Sequence, residues 1–332
     1  MAKAPKSQPN IQKAGDPAES VARRSARLRH RAAWMYYAEE MTQNAIADAL
    51  GIGRVTVVRL LAEARALNEV KISLRREFEL LTELEAGLER RFGLDRAIVA
   101  PVSTAQADPS QAIGAATGGL ISEIVKADMM LGVGWGRTLL RALPFIDEAD
   151  VPGLTIISLL GGISAVRQYN PTEFAWRFSR LFHSDCYLIA APALVDCKET
   201  KQALIERCGI GPVLELAHAL DAVLLSVGSM SASSTARLFD VFTEEDRKNL
   251  IAAGAVGDLL FNFFDKDGRL VDHPINERVM SVPVAQLQNA PLRILTSGGA
   301  DKTAALIGGL RLLRPHIFIT DEASAQRLLD ET

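Results

Sequence analysis

The residues with the clearest chemical capacity sit in glycine-rich loops that follow short apolar runs. In GVGWGRT, residues 132–138, glycines leave the backbone open to close approach, while Arg137 and Thr138 add a charge and a hydroxyl where a helix should open. Free N–H groups at a helix start and the positive end of its dipole attract anions, so this loop has the composition of a phosphate cradle. Gly134, Trp135, Gly136, Arg137 and Thr138 are its candidate ligand contacts. It is not a nucleotide P-loop, because no GK(S/T) follows, and its third glycine comes one residue early for GxGxxG. A tight strand-to-helix turn would also need glycines.

Further loops carry compatible groups. Leu160, Gly161 and Gly162 lead to Gln168 and Asn170, whose amides can bond hydroxyls, and Gly228, Ser229 and Met230 follow another apolar run. Asp258, in AGAVGDLLFNFFD, could accept two hydroxyl protons on its carboxylate. In SGGADKTAALIGGLR, Lys302 stands in the first turn of an expected helix. A cation is disfavoured there by the helix dipole, so Lys302 asks for a carboxylate or a ligand phosphate; alone it would read as a solvated lysine.

A second kind of chemistry is written in TQNAIADALGIGRVTVVRLLAEARAL, residues 42–67. Ala45, Ile46, Ala49 and Leu50 fall at helical spacing, Gly51 suits a helix end, and Val57, Val58, Leu61 and Ala62 begin a second stripe. The pattern predicts a helix-turn-helix, with Arg54, Thr56, Val57 and Arg59 near the start of the second helix, where side chains can meet major-groove base edges and phosphates. An ordinary helical hairpin with solvated arginines would share the spacing.

Charge supports the nucleic-acid reading. The chain's net charge of -3 divides unevenly: residues 1–76 hold 14 Lys and Arg against 7 Asp and Glu, and the remainder holds 23 against 33. A basic head on an acidic body suits a protein of which only the head meets a polyanion. No apolar run approaches the roughly 18 residues of a membrane span, and the first twenty residues lack the apolar core of a secretory signal, so a cytoplasmic protein is expected. Cys186, Cys197 and Cys208 are odd in number and widely spaced, which predicts reduced thiols in a core rather than a metal pair.

The elements that must position these residues divide the chain into a disordered tail over 1–22, a DNA-binding head over 23–75, a linker helix over 76–94 and a body over 95–332. A helix over 25–40 should turn Leu28, Ala32, Met35 and Tyr36 inward, and 69–74 could form a short strand or wing. In the linker, Phe78, Leu81, Leu84, Leu88 and Phe92 form a helical stripe that could join two subunits or pack on its own domain. The body alternates apolar runs (96–100, 129–133, 154–159, 187–190, 222–227, 279–282, 293–296, 317–320) with helical segments (110–127, 136–146, 172–183, 199–208, 211–219, 243–253, 301–313). That alternation predicts a doubly wound α/β sheet, with a ligand outside the carboxyl ends of its strands.

These segments together resemble the SorC/DeoR-type bacterial transcriptional regulators with a sugar-binding effector domain. The resemblance covers roughly residues 28–330 and runs through AIADALGIGRVTVVRLLAEAR, GVGWGRT, LLGG, LSVGS, AGAVGDLLFNFFD, SGGADKTAALIGGLR and TDEASAQRLL, in that order. It implies a winged or homeodomain-like head, an effector domain related to phosphosugar isomerases, a homo-oligomer that is usually a tetramer, and an effector that is most often a phosphorylated sugar or polyol. Carried over by position, it puts the phosphate on Gly136, Arg137 and Thr138 beside Lys302, and the sugar hydroxyls on Asp258 with Gln168 or Asn170. Two departures stand out: Gly53 replaces the usual Ser before the recognition helix, and the segment around 168–174 belongs to the family's variable part.

Two functions then compete, since a third, a sugar-sensing adaptor without DNA binding, would explain the body but leave Arg54 and Arg59 without use. One is an effector-controlled regulator of a carbohydrate or polyol operon, which binds operator DNA and has no cofactor. The other is a phosphosugar isomerase-like enzyme, which needs a general base beside the substrate carbon. His183, His218 and His273 fall in or beside expected helices, away from the glycine loops, and only Asp258 could serve. A basic helix-turn-helix has no use in an isomerase, so the sequence favours the regulator.

Overall fold

The computed structural model describes residues 17–70, 79–102, 108–163, 170–231 and 242–331. They form two compact units divided between Arg75 and Arg76.

The first unit is three helices: α1 (Pro17–Tyr37), α2 (Gln43–Leu50) and α3 (Arg54–Ala66). Thr42 caps α2 by accepting the Ala45 N–H on its hydroxyl at 3.2 Å. Gly51 ends the helix at φ 64°, a left-handed conformation that costs glycine little. Gly53 opens α3 with no side-chain cap. The core is Ala32, Ala33, Met35, Ile46, Ala47, Val57, Leu60, Leu61 and Ala64, so its phase differs from the expected stripe. Ala49, Val58 and Ala62 lie exposed, and Tyr36 is 36% exposed. The doublets Val57–Val58 and Leu60–Leu61 offer two overlapping stripes, and the one that buries both leucines removes more apolar surface from water. Arg29 of α1 donates from Nε to Glu69 at 2.7 Å, tying α1 to the chain beyond α3. Glu69 and Val70 are not in a strand, and residues 71–74 of the expected wing lie outside the described residues.

The second unit opens with α4 (Glu79–Phe92) and is built on a seven-stranded parallel sheet. Its strands are β1 (Arg96–Ala100), β2 (Met130–Val133), β3 (Thr155–Ser158), β4 (Asp185–Tyr187), β5 (Ala222–Leu225), β9 (Leu292–Thr296) and β10 (Ile317–Asp321), in the spatial order β1-β10-β9-β5-β2-β3-β4. Most are buried on both faces, as a sheet covered by crossover helices requires. Those helices include α5 (Ser110–Ile124), α6 (Arg137–Ala142) and α7 (Pro171–Arg180), then Thr303–Leu313 and Glu322–Asp330. The expected run at 222–227 breaks after Leu225, and the chain enters a small antiparallel sheet of β6 (Val227–Ser229), β7 (Gly257–Leu259) and β8 (Asn262–Phe264). Strands of three residues carry too little periodicity to announce themselves. The run 279–282 makes only isolated bridges, Leu160 to Ser281 and Leu194 to Val279. The fourth strand begins two residues before the expected run 187–190 and ends at its first residue, spanning Asp185–Tyr187.

The α4 stripe belongs to the body. Leu81, Leu84 and Leu88 are 7%, 6% and 0% exposed, and the helix packs on β1 and on Glu322–Asp330. Glu89 accepts the Ala97 N–H at 2.9 Å and Glu85 the Val99 N–H at 2.8 Å. Two helix carboxylates thus accept two outward N–H groups of β1, the sheet's terminal strand. Leucines buried in their own domain cannot also join subunits; Phe78 lies outside the described residues. Of the three cysteines, none is fully buried as expected: Cys186 and Cys197 are half-buried and Cys208 is exposed.

Candidate functional site

The strand order fixes where a ligand can sit. From β2 the chain runs outward to β3 and β4; from β5, on the other flank of β2, the sheet continues through β9 and β10 to β1. Loops leaving β2 and β5 therefore part in opposite directions, opening a crevice at their carboxyl ends. One pocket occupies that crevice, lined by Trp135, Gly136, Arg137 and Thr138 after β2, Ser226 to Ser229 and Ser231 after β5, Asp258 on β7, and Asp301 and Lys302 after β9.

Gly136 leads into α6 at φ 128°, which L side chains rarely adopt, and a Cβ there would touch nothing. The glycine is a conformational requirement that leaves the loop open to a ligand. Thr138 is buried at 6% exposure in the first turn of α6. Arg137 is half-exposed, with its guanidinium 3.8 Å from Asp108. Gly134 serves the sheet instead. Its N–H donates to the Leu224 carbonyl at 2.8 Å, and a Cβ would stand 3.3 Å from that oxygen. It lets β2 and β5 close on each other and does not line the pocket.

Asp258 is 5% exposed. Burial raises its pKa to about 6, against the Phe261 N–H bond and the charge of Lys302. Its Oδ2 accepts the Phe261 N–H at 3.0 Å, so one oxygen expected to take a hydroxyl serves the fold. That bond holds the β7–β8 turn, where Leu260 and Phe261 both sit at positive φ, 53° and 61°. Asn262 adds amide bonds to the carbonyls of Leu259 and Leu260. The strained turn presses Phe261 onto Trp135, with ring centroids 5.1 Å apart. A Cβ on Gly228 would lie 2.1 Å from Asp258 Oδ1, so the glycine of LSVGS makes room for the carboxylate.

Lys302 is the N-cap of Thr303–Leu313, one step before the first turn, and its side chain folds back into the pocket. Its Nζ donates to the Val227 carbonyl at 3.2 Å and the Ser297 hydroxyl at 3.4 Å. Burial lowers its pKa, with Arg137 adding to the shift and Asp301, Asp258 and Asp108 opposing it. The anionic neighbour that a lysine at this position requires is thus supplied in part by the protein's own carboxylates.

Besides Gly134, two more expected contacts are not in the pocket lining. Asn170 caps α7: its Oδ1 accepts the Thr172 N–H at 3.1 Å and its Nδ2 donates to the Ile163 carbonyl at 2.7 Å. Gly162 bonds through N–H and C=O to Ala191 and Ala193 and is not in the pocket lining. Gln168 lies outside the described residues. Ser226, Ser231 and Asp301 also line the pocket without a signal of their own in the sequence: only the strand order shows that the exit of β5 faces that of β2. His183 and His218 stand near surface glutamates, and His273 caps a short helix through the Ile275 N–H.

On the head, Arg54 and Arg59 are exposed on α3 and Thr56 is half-buried. Arg59 pairs with Glu63 at 2.8 Å, and Arg54 Nε lies 3.5 Å from the Gln43 side-chain oxygen. Val57 is 0% exposed and part of the head's core, so it cannot reach DNA as expected. The valines on the surface are Val55, 83% exposed, and Val58, 45% exposed.

Comparison with known proteins identifies relatives over most of the chain. Residues 76–330 match the family described as "Putative sugar-binding domain". The chain is 28% identical to the erythritol catabolism regulatory protein EryD of Brucella abortus over 308 residues, covering 91% of this chain and 96% of that protein. It is 28% identical to the deoxyribonucleoside regulator of Bacillus subtilis over 312 residues, covering 93% and 99%. The crystal structure of the full-length sorbitol operon regulator SorC of Klebsiella pneumoniae superposes with a TM-score of 0.69 at 25% identity, covering 91% of this chain and 98% of that one. These relatives are named as regulators, and among the described residues no helix is long and apolar enough to cross a membrane. The chain belongs to the sugar-binding domain family of SorC/DeoR-type transcriptional regulators.

Proposed function

We propose that the protein is a sequence-specific DNA-binding regulator of a carbohydrate or polyol catabolic operon, controlled by a phosphorylated sugar or polyol in the pocket at the β2–β5 crevice. The observation that carries the effector reading is the convergence of Gly136–Thr138, Ser229, Asp258 and Lys302 on one pocket from four separate chain segments. Arg137, Thr138 and the open backbone at Gly136 take the phosphate, and Lys302 stands beside it as a second cation. Asp258 and the serines after β5 take hydroxyls. Arg54 and Arg59 bind the operator, and the functional particle is a homo-oligomer that presents two heads to two half-sites. Effector binding shifts the population between arrangements of those heads with different operator affinity.

Thermal unfolding of the full chain against a panel of phosphorylated and unphosphorylated sugars and polyols tests the effector half. A true effector at 100 times its Kd should stabilise the body by about 2.7 kcal/mol. If every phosphorylated member leaves the transition unmoved, the phosphate assignment is wrong.

A further inference from the structure

The outward face of α3 carries a pattern that the arginines do not explain. At about 100° per residue, Val58, Ala62 and Val55 fall within roughly 60° of one another, turned away from the core side chains Val57, Leu60, Leu61 and Ala64. Arg54 lies at one border of this strip and Arg59 at the other. All five side chains are exposed, Val55 at 83% and Val58 at 45%. Two β-branched residues exposed on one helical face gain nothing from helix propensity, since valine ranks below the straight-chain residues that usually fill such positions. They also contribute nothing to the head's core.

A surface that is apolar along its middle and cationic at its edges matches the floor of a DNA major groove. The borders meet phosphates or guanine edges, and the only apolar feature on the floor is the thymine 5-methyl group. Val55, in the first turn of α3, stands where a recognition helix contacts bases. We infer that Val55 and Val58 are specificity-determining residues that read thymine 5-methyl groups in the operator half-site. This rests on the operator-binding reading above. It commits the head to a half-site with thymines at the positions under the strip, so sequence preference there comes from methyl contact and not from hydrogen bonds.

The test can begin without an operator sequence. A duplex is enriched from a randomised DNA library with the full chain, and each thymine of the selected site is replaced in turn by deoxyuridine, which removes the methyl and leaves base pairing intact. One or two replacements per half-site should weaken binding about fourfold each, the effect of losing one buried methyl. Val55→Ala or Val58→Ala should bind the unmodified duplex more weakly and lose the uridine penalty at its own position. Both positions are exposed, so the substitutions leave the fold intact, which the unfolding temperature confirms. Enrichment followed by uniform tolerance of uridine, or an unchanged uridine penalty in both variants, overturns the inference and leaves operator binding standing. Failure to enrich any duplex removes the operator reading and the inference with it.

Discussion

The head and the body place their functional groups by opposite means. In the head the groups proposed to face DNA stand on the outside of a helix whose inner face is the core, so function and folding would divide a single 3.6-residue period. In the body the groups come from the ends of β2, β5, β7 and β9 and meet where the sheet's connections part. A one-residue error of phase in the head exchanges a core residue for a surface residue, as Val57 and Val58 show. The same error in a body loop matters less, because a glycine demanded by φ 128° or by a 2.1 Å approach marks its own position.

The largest expected effect tests whether the α4 stripe belongs to the body. Leu88→Asp places a carboxylate at a position with 0% exposure. It should cost about 4 kcal/mol or more and abolish the body's cooperative unfolding transition, rather than release folded subunits. A folded, smaller species in light scattering would return the stripe to an interface between chains.

Asp258 should give the next largest effect. Its native pKa of about 6 means that the folded protein keeps a proton which the unfolded chain, at about 4, has lost. Stability therefore falls as pH rises from about 4 to 6 and stays lower above that window. Asp258→Asn can still accept the Phe261 N–H and should be more stable than the parent by about 3 kcal/mol above pH 6, with no difference below pH 4. Denaturant titrations at several pH values measure this; a constant difference at every pH would mean that Asp258 is not held protonated by burial.

The two exposed arginines of α3 come third. Arg54→Ala and Arg59→Ala should each lower operator affinity about tenfold or more while leaving effector binding unchanged, since the pocket's lining residues all belong to the body. Gel shifts with both variants at parental affinity would reject α3 as the reading helix. The smallest effect separates neighbours on that helix: Val57→Ala should destabilise the head by about 1–3 kcal/mol, and Val55→Ala by less than about 0.5. Equal effects would mean that the burial phase of α3 has been misassigned.

Much of this was legible in the sequence, for identifiable reasons. Parallel strands buried on both faces appear as apolar runs, so β1, β2, β3, β9 and β10 fell close to their expected places, and Gly136, Arg137, Thr138, Asp258 and Lys302 do meet in one pocket. Strand order was not legible, because it depends on crossovers between distant segments, and with it went Ser226, Ser231 and Asp301. Asn170 misled because one amide serves equally as a ligand contact or as a helix cap, and only its partners, Thr172 and Ile163, decide between them. Gly134 misled in the same way, since close approach of β5 and close approach of a ligand demand the same residue.

Whether the loop Gly136–Thr138 holds the phosphate of an effector is the central question, and calorimetric titration of the parent and of Arg137→Ala tests it most directly. The ligands are the tightest phosphorylated member of the panel and its dephosphorylated counterpart. Arg137 is half-exposed, so its loss should leave the fold intact while removing a charge-assisted bond. The variant should bind the phosphorylated ligand about ten- to a hundredfold more weakly and the dephosphorylated one unchanged. An equal loss for both ligands, or a dephosphorylated ligand that binds the parent more tightly than its phosphate ester, would contradict a phosphate site in this loop.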